Sequence, residues 1–477
     1  MSTLIMKFGG TSVGMTTGLT QLLSIVLYER ERWQRLLLVV SALEGVTDAL
    51  IEAAHLAQLG NRRGYRRIVA TLRTRHLALI EHLPLGTNER GALQADIDRL
   101  LFDMLDLCQS LSDKTDSDIQ PETLDAIVSV GERLAARIVA ALLRQNNLRG
   151  VAIDATDLII TDNVYGNATP NLAITRERIA QHLLPMLERD IIPVITGFIG
   201  ATSTGKPTTL GRGGSDYTAS VLSACIDASE VWIWTDVEGM MTTDPREIPE
   251  ARVIPMLSYQ EVAELAYFGA RILHPRMIGP LRERHIPLRV RSIFRPQTPG
   301  TLIHDEETAS AGAVLKAVTT IQGIGLSSRS DGPLADIFAQ IDASMQDITG
   351  THAEVLLATQ SSAQSFITFI VPTSAGPDAP HSLQLGLEKR LAHLAPNWLV
   401  HAVSVVTIIG AHLDERHDIT ASAIDAVNGV RLLGVVYNTS RCSLSVIVDP
   451  NDAHQTLRQL HALVLRSELS SGAAPTA

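Results

Sequence analysis

The stretch Met6-Lys7-Phe8-Gly9-Gly10-Thr11-Ser12-Val13 constrains this chain more than any other. Leu4, Ile5 and Met6 read as a short buried strand, Gly9-Gly10 breaks it, and Leu19, Leu22, Leu23 and Val26 then recur at helical spacing. A strand, a glycine turn bearing hydroxyls and then a helix offers free backbone N–H groups and a positive dipole end to an anion. Two glycines let a phosphate reach the backbone without meeting a Cβ. Lys7 adds a full positive charge at the strand's end. The bland alternative is an ordinary tight turn beside a solvated lysine. Against it stands the scarcity of lysine: Lys7, Lys114, Lys206, Lys316 and Lys389 are the only ones among 40 lysines and arginines. A compact point charge beside a glycine turn in an arginine-biased chain points to phosphate.

The totals narrow the class. A chain of 477 residues exceeds one simple core, and 45% hydrophobic with 19% charged residues is a globular composition. A formal net charge of −11 argues against nonspecific nucleic-acid binding, yet leaves room for a small anion in a local positive pocket. Cys108, Cys225 and Cys442 are scattered and odd in number, which excludes a cysteine zinc cluster and fits a reducing compartment. No apolar run reaches membrane-spanning length and the chain opens directly on a strand. The expectation is a cytoplasmic enzyme or regulator without membrane or nucleic-acid partners.

Strands are expected at Leu36–Ser41, Gly150–Ile153, Leu158–Ile160, Ile191–Ile195, Glu230–Trp234 and Leu288–Val290, alternating with helices, and a helical insert at about 50–120 broken near Pro84-Leu85-Gly86 and at Pro121. That rhythm specifies an α/β sandwich on a mostly parallel sheet over residues 1–303. Past Asp305-Glu306-Glu307 it changes to two ferredoxin-like β-α-β-β-α-β units, expected at 314–395 and 396–466, before a disordered tail at 467–477.

Three further constellations carry chemistry. Leu210-Gly211-Arg212-Gly213-Gly214-Ser215-Asp216-Tyr217 is a second anion nest. A guanidinium in a glycine turn suits bidentate carboxylate or phosphate recognition, and Asp216 is placed to pin Lys7. Thr235-Asp236-Val237-Glu238-Gly239, closing a strand and followed by Met241 and by Asp244-Pro245-Arg246, suits an adenosine site with a cation near the phosphates. Phe268-Gly-Ala-Arg271-Ile-Leu-His-Pro275 offers another candidate phosphate cation; its plain alternative is a surface arginine. Gly200-Ala-Thr-Ser-Thr-Gly205-Lys206 mimics a P-loop, but Pro207 stands where a Mg²⁺-binding hydroxyl belongs, so it reads as a hairpin turn. Two nests with two cations and no evident catalytic histidine suit transfer of a phosphoryl group to a carboxylate. Such an acceptor is already ionised and requires no general base.

In combination, Lys7–Val13, Ser129-Val-Gly-Glu132, Gly197-Phe-Ile-Gly200, Leu210–Tyr217, Trp234-Thr-Asp-Val237, Thr242-Thr-Asp-Pro-Arg246 and Phe268–Pro275 resemble the aspartokinases of the amino acid kinase superfamily, from residue 1 to about 303. The resemblance implies a three-layer αβα kinase domain followed by two ACT-type regulatory units. It also implies ATP- and Mg²⁺-dependent phosphorylation of L-aspartate, the step that opens the route to lysine, threonine and methionine. By position it assigns Lys7, Gly9, Gly10, Thr11 and Ser12 to the transferred phosphoryl group and ATP, with Asp216 organising Lys7. Glu132 would meet the substrate's α-ammonium and Arg212 its α-carboxylate, beside Ser41 and Thr47. Thr235, Asp236, Met241, Arg246 and Arg271 would hold ATP.

The chain departs from the family twice, with Met241 where tyrosine is usual and Arg271 where lysine is usual. The ACT-type units imply a homodimer and feedback by an amino acid such as lysine or threonine, with effector contacts expected at Gly325–Asp336 and Tyr437–Ser443. Nothing after them resembles a homoserine dehydrogenase. A related glutamate kinase and a catalytically degenerate amino-acid sensor stay open as alternatives.

Overall fold

The computed structural model describes residues 2–113, 119–270, 273–305, 315–329, 334–415, 417–438 and 440–470. They divide into two compact units: Met1–Met240 with Leu273–Asp305, and Met241–Ile272 with Glu306–Ala477. The segment Met241–Ile272, expected within the first domain, thus groups with the second.

The first unit is built on β1 (Thr3–Phe8), β2 (Arg35–Val40), β3 (Gly150–Ile153), β4 (Ile160–Thr161), β5 (Ile192–Thr196), β6 (Ile199–Thr202), β7 (Pro207–Thr209), β8 (Glu230–Thr235), β9 (Leu288–Ser292) and β10 (Thr301–His304). Its main sheet runs β3-β5-β2-β1-β8-β9 in parallel, with β10 antiparallel beside β9. Parallel strands buried on both faces read as continuous apolar runs, and Leu36–Val40 is fully buried. Leu4, Met6, Phe8, Leu36, Leu38 and Val40 share one core with the helical insert.

The helices are α1 (Gly10–Val13), α2 (Thr16–Arg30), α3 (Val46–Gln58), α4 (Arg62–Glu81), α5 (Thr87–Ser112), α6 (Pro121–Val128), α7 (Val130–Gln145), α8 (Leu172–His182), α9 (Gly214–Ile226) and α10 (Pro275–Glu283). The helix after the first glycine turn comes in two pieces, stopping at Gly14 and restarting at Thr16.

The strand expected at Leu158–Ile160 is shorter and later: a 3-10 turn, Ala155–Asp157, leads through Leu158 and Ile159 into two-residue β4, which begins at Ile160 and pairs with β6 in a small separate sheet. Local bonds win there: Thr196 Oγ1 takes the Ala155 N–H at 2.7 Å, and the Ala155 carbonyl takes the Ile159 N–H at 2.7 Å. The P-loop mimic is a hairpin turn between β6 and β7, with Gly205 at φ +83°.

The second unit holds β11 (Leu315–Ser328), β12 (Glu354–Gln360), β13 (Ser365–Ile370), β14 (Trp398–Gly410), β15 (Gly434–Tyr437) and β16 (Ser443–Val448), all antiparallel in the order β12-β13-β11-β14-β16-β15. With them go α11 (Leu334–Thr349), α12 (Ala379–Leu394), α13 (His417–Ala426) and α14 (Ala453–Ser470).

The two ferredoxin-like units are nested, not consecutive. Gly323–Ser328 of β11 pairs with β13 and with Trp398–Val403 of β14, over a core with α11 and α12. Leu315–Gln322 pairs instead with Ser404–Gly410, which pairs with β16, over a core with α13 and α14. The reason is length. β11 and β14 continue unbroken for 14 and 13 residues, on the order of 45 Å each, so one strand serves both halves.

A buried ion pair roots β11, with Lys316 Nζ 2.7 Å from Glu261 Oε2 and only 4% and 2% of the side chains exposed. Glu261 also closes a capping box with Ser258 at the start of helix Tyr259–Tyr267. α14 runs to Ser470, past the expected start of the tail; residues 471–477 lie outside the described residues, as do parts of both expected effector segments. Cys108, Cys225 and Cys442 are buried free thiols, and no described helix is long and apolar enough to cross a membrane.

Candidate active site

At the carboxyl end of β1, Lys7 Nζ lies 2.6 Å from Asp216 Oδ1, which belongs to the first turn of α9. The glycine loop before α9 needs left-handed backbone at Gly211 (φ +75°) and Gly213 (φ +70°). A side chain at Gly213 would also strike His274 Cβ at 2.4 Å. Only glycine meets both demands. No side chain caps α9; its first N–H, from Gly214, is taken by the Gly211 carbonyl at 2.9 Å, and those of Ser215 and Asp216 are left to face an anion.

A cavity of about 500 Å³ opens here, and Lys7, Ser41, Thr47, Glu132, Arg212 and Asp216 all line it. Six residues spread over two hundred positions of sequence therefore share one space. Arg212 is exposed to the cavity and has no ion-pair partner among the described residues. Glu132 is the opposite case, buried to 3% in the first turn of α7. Its Oε1 accepts the Ala42 N–H at 3.2 Å, while Oε2 is buried without a partner. Burial lifts its carboxyl from 4.5 to about 8 against the pull of the Ala42 N–H. Gly131 makes this approach possible, since a Cβ there would meet Ala42 Cβ at 2.8 Å. A buried carboxyl oxygen with no donor, on a residue that lines the cavity, suits an ammonium group.

Gly9 sits over Lys7, whose Nζ would lie 3.8 Å from an added Cβ, and its N–H points at the Trp234 carbonyl at 3.4 Å. Gly10 is held to the 42–44 loop so closely that a Cβ would meet the Ala42 carbonyl at 2.7 Å. Thr11 is half-buried, and Ser12 is fully buried with its hydroxyl unpartnered. None of Gly9 to Ser12 lines the cavity itself. Thr235 and Asp236 close β8 beside β1, and the Thr235 hydroxyl donates to Asp236 at 3.0 Å.

Met241 and Arg246 belong to the second unit. Met241 bridges Val253, and the Arg246 fork is taken up by Asp244 at 2.6 Å. Arg271 lies outside the described residues.

Sequence reading missed the residues that hold the Arg212 loop. Asp125, buried on α6, accepts the Gly166 N–H at 2.9 Å, the Thr209 N–H at 2.7 Å and the Thr209 hydroxyl at 2.9 Å. Arg276 donates to Asn167 at 2.5 Å and to the Leu210 and Ala168 carbonyls at 2.8 and 2.9 Å, with its guanidinium 4.7 Å from the Tyr217 ring centre. Phe198, also on the cavity wall, is forced to φ +69°, a rare state for an aromatic residue and one that clusters at functional sites. Its motif, Gly197-Phe-Ile-Gly200, contributes to the family resemblance, but nothing in those residue types marks the left-handed backbone. The Asp125 contacts span up to 84 positions, so no motif reveals them either.

A paired lysine, an uncapped helix end, a free guanidinium and a buried acid in one cavity define a site for an amphoteric substrate beside a phosphate. The chain belongs to the amino acid kinase family, whose model matches residues 2–292. Within that family it groups with the aspartokinases. It is 30% identical over 467 residues to lysine-sensitive aspartokinase 3 of Escherichia coli (strain K12), covering 96% of this chain and 98% of that one. It is 28% identical over 468 residues to the chloroplastic bifunctional aspartokinase/homoserine dehydrogenase 1 of Arabidopsis thaliana, and spans about half (50%) of that relative's length. The structure matches E. coli aspartokinase III in complex with aspartate and ADP with a TM-score of 0.76 at 28% identity, over 97% of this chain and 99% of that one.

Proposed function

We propose that the chain transfers the γ-phosphoryl group of ATP to the side-chain carboxylate of L-aspartate, giving 4-phospho-L-aspartate and ADP. The observation that carries this reading is the single cavity where Lys7, with Asp216 beside it, meets Glu132 and Arg212. Glu132 takes the α-ammonium and Arg212 the α-carboxylate, so the remaining carboxylate of a short acidic amino acid is left for Lys7. Ser41 and Thr47 line the space between. The acceptor oxygen attacks phosphorus, a new O–P bond forms as the bridging O–P bond breaks, and ADP leaves with the electron pair. An aspartate side chain ionises near pH 4, so no base is required. Lys7, the backbone N–H of Gly10, and the hydroxyls of Thr11 and Ser12 neutralise charge on the phosphoryl oxygens, with Gly9 leaving room for them beside Lys7.

Thr235 and Asp236 hold the nucleoside, with Met241, Arg246 and Arg271 as further nucleotide contacts. Met241 replaces an aromatic contact by a softer thioether, and Arg271 replaces a point charge by a planar fork. Mg²⁺ would arrive on the nucleotide's phosphates, which leave room for one or two protein carboxylates. Asp236, exposed at the end of β8, fits that need. The ion would supply neutralisation of phosphate charge. Regulation rests on the second unit: an amino-acid effector such as lysine or threonine acts there, and the chain works in the cytoplasm as at least a dimer.

The test is ADP release with trapping of the acyl phosphate as a hydroxamate, run with aspartate and with glutamate. Turnover with aspartate alone is expected. Turnover with glutamate in its place would make the chain the related glutamate kinase. Binding of lysine or threonine without any turnover would make it a sensor.

A further inference from the structure

A second cavity, of about 530 Å³, lies on the opposite face of the first unit's sheet. Side chains alternate along a strand, and the pairing of β1 with β8 sets Met6 beside Trp232 and Phe8 beside Trp234. Lys7 therefore points to one face and the tryptophans to the other. Tyr28 and Glu29 line this cavity from the last turn of α2, Arg32 and Trp33 from just after it, Trp232 from β8 and Arg291 from β9.

Its two guanidinium groups lie over aromatic rings. Arg291 lies 4.6 Å from the Trp232 ring centre and 4.8 Å from that of Trp234, and Arg32 lies 3.3 Å from that of Tyr28. Trp33 meets Trp232 edge-on, with ring centres 6.1 Å apart. The nearby Glu230 is already spent, accepting the Trp232 indole N–H at 2.7 Å and Arg289 at 3.0 Å. Arg291 is not so well served. One of its amino groups donates to the Pro296 carbonyl at 2.5 Å, but its Nε is buried without an acceptor. Glu29 is only 5% exposed. It takes a hydrogen bond from the Trp33 indole and feels both Arg291 and Arg32, yet no ion pair joins it to either among the described residues, and burial raises its carboxyl above the ordinary range.

Burying a carboxylate and a guanidinium close together without an ion pair between them costs free energy that a bridging partner would partly offset. A ligand carrying both charges a few ångströms apart completes the pair. The aromatic wall between them calls for an apolar portion on the same ligand. We infer that this cavity binds a free α-amino acid with a large apolar or aromatic side chain. Its carboxylate rests on Arg291, its ammonium on Glu29 and its side chain against Trp33 and Trp232. The charge pair is of the same kind as Arg212 with Glu132, but the inference stands independently of the kinase reading.

The test uses the full chain with saturating aspartate, so that Glu132 and Arg212 are engaged. L-Phenylalanine and L-leucine are titrated by calorimetry and by tryptophan fluorescence. Saturable binding with a change in tryptophan emission is expected, and N-acetyl-L-phenylalanine amide, which lacks both charges, should not bind. Glu29→Gln and Arg291→Gln should each weaken binding by about tenfold or more while leaving aspartate-dependent ADP release unchanged. Should Arg291→Gln fail to fold, Glu29→Gln and Trp33→Ala carry the comparison. Absence of saturation up to about 10 mM, a level above any useful affinity, overturns the inference. So does equal binding of the capped amide, or binding indifferent to the Glu29 and Trp33 changes.

Discussion

Replacing Glu132 by glutamine keeps the shape of the side chain and removes its charge, with opposite effects on the free and the substrate-bound protein. The folded carboxyl sits at about 8 against an ordinary 4.5. The folded state therefore holds this proton more tightly than the unfolded chain. Its stability contribution is full below pH 4.5, declines as pH rises, and is lost by about pH 8. At 1.36 kcal/mol per pH unit, the decline between pH 4.5 and 7 is about 3 kcal/mol. Glutamine has no proton to lose, so the ligand-free variant should gain about that much on the native protein between those pH values.

With substrate the order reverses. A charge-assisted bond to the α-ammonium is worth about 1.5–3 kcal/mol, so kcat/KM for aspartate should fall by about ten- to a hundredfold. Native binding at pH 7 should also expel close to one proton as the ammonium drives Glu132 to ionise. Denaturant melts from pH 5 to 8 measure the first effect, ADP-coupled kinetics the second, and calorimetry in buffers of differing ionisation heat the third. Parallel stability profiles for the two proteins, together with binding heats indifferent to buffer, would refute the reasoning.

Lys7→Met should cut kcat by about a thousandfold or more, as expected for a lost charge stabiliser, while any effector binding to the second unit measured by calorimetry stays intact. Arg212→Ala should raise the aspartate KM by about tenfold or more with little change in the ATP KM. Arg276→Met should loosen the Arg212 loop and raise the aspartate KM selectively, with Arg276→Lys recovering only part because a point charge cannot reproduce three directed bonds; equal changes in both KM values would count against it. Lys316→Met strands Glu261 in the second unit and should cost about 3–5 kcal/mol in a denaturant melt, part of it recovered by adding Glu261→Gln.

Much of the first unit was legible because its information is local. Leu36–Val40 reads as a strand buried on both faces, and Gly9-Gly10 and Gly211–Gly214 read as close-approach turns, with an ordinary turn or surface loop as the plainer alternative. Lys7, Glu132, Arg212 and Asp216 sit in motifs whose residue types announce charge, and the structure brings all four to one cavity. What stayed hidden depends on distance or on continuity. Asp125 and Arg276 act through bonds to segments 41 to 109 positions away. Phe198 is marked by a dihedral, not a residue type. The nesting of the two ferredoxin-like halves was hidden for a subtler reason. Ile321-Gln322-Gly323 looks like a junction between strands, yet cross-strand bonds on both sides carry the backbone straight through.

That continuity bears on how the second unit can be altered or dissected. Two of its six strands are common property, like a pair of rails beneath two carriages. Excising either subdomain would strip its neighbour of half the ladder on which it is laid. A tilt imposed at one end is handed along the same peptide units to the other, with no hinge between to absorb it.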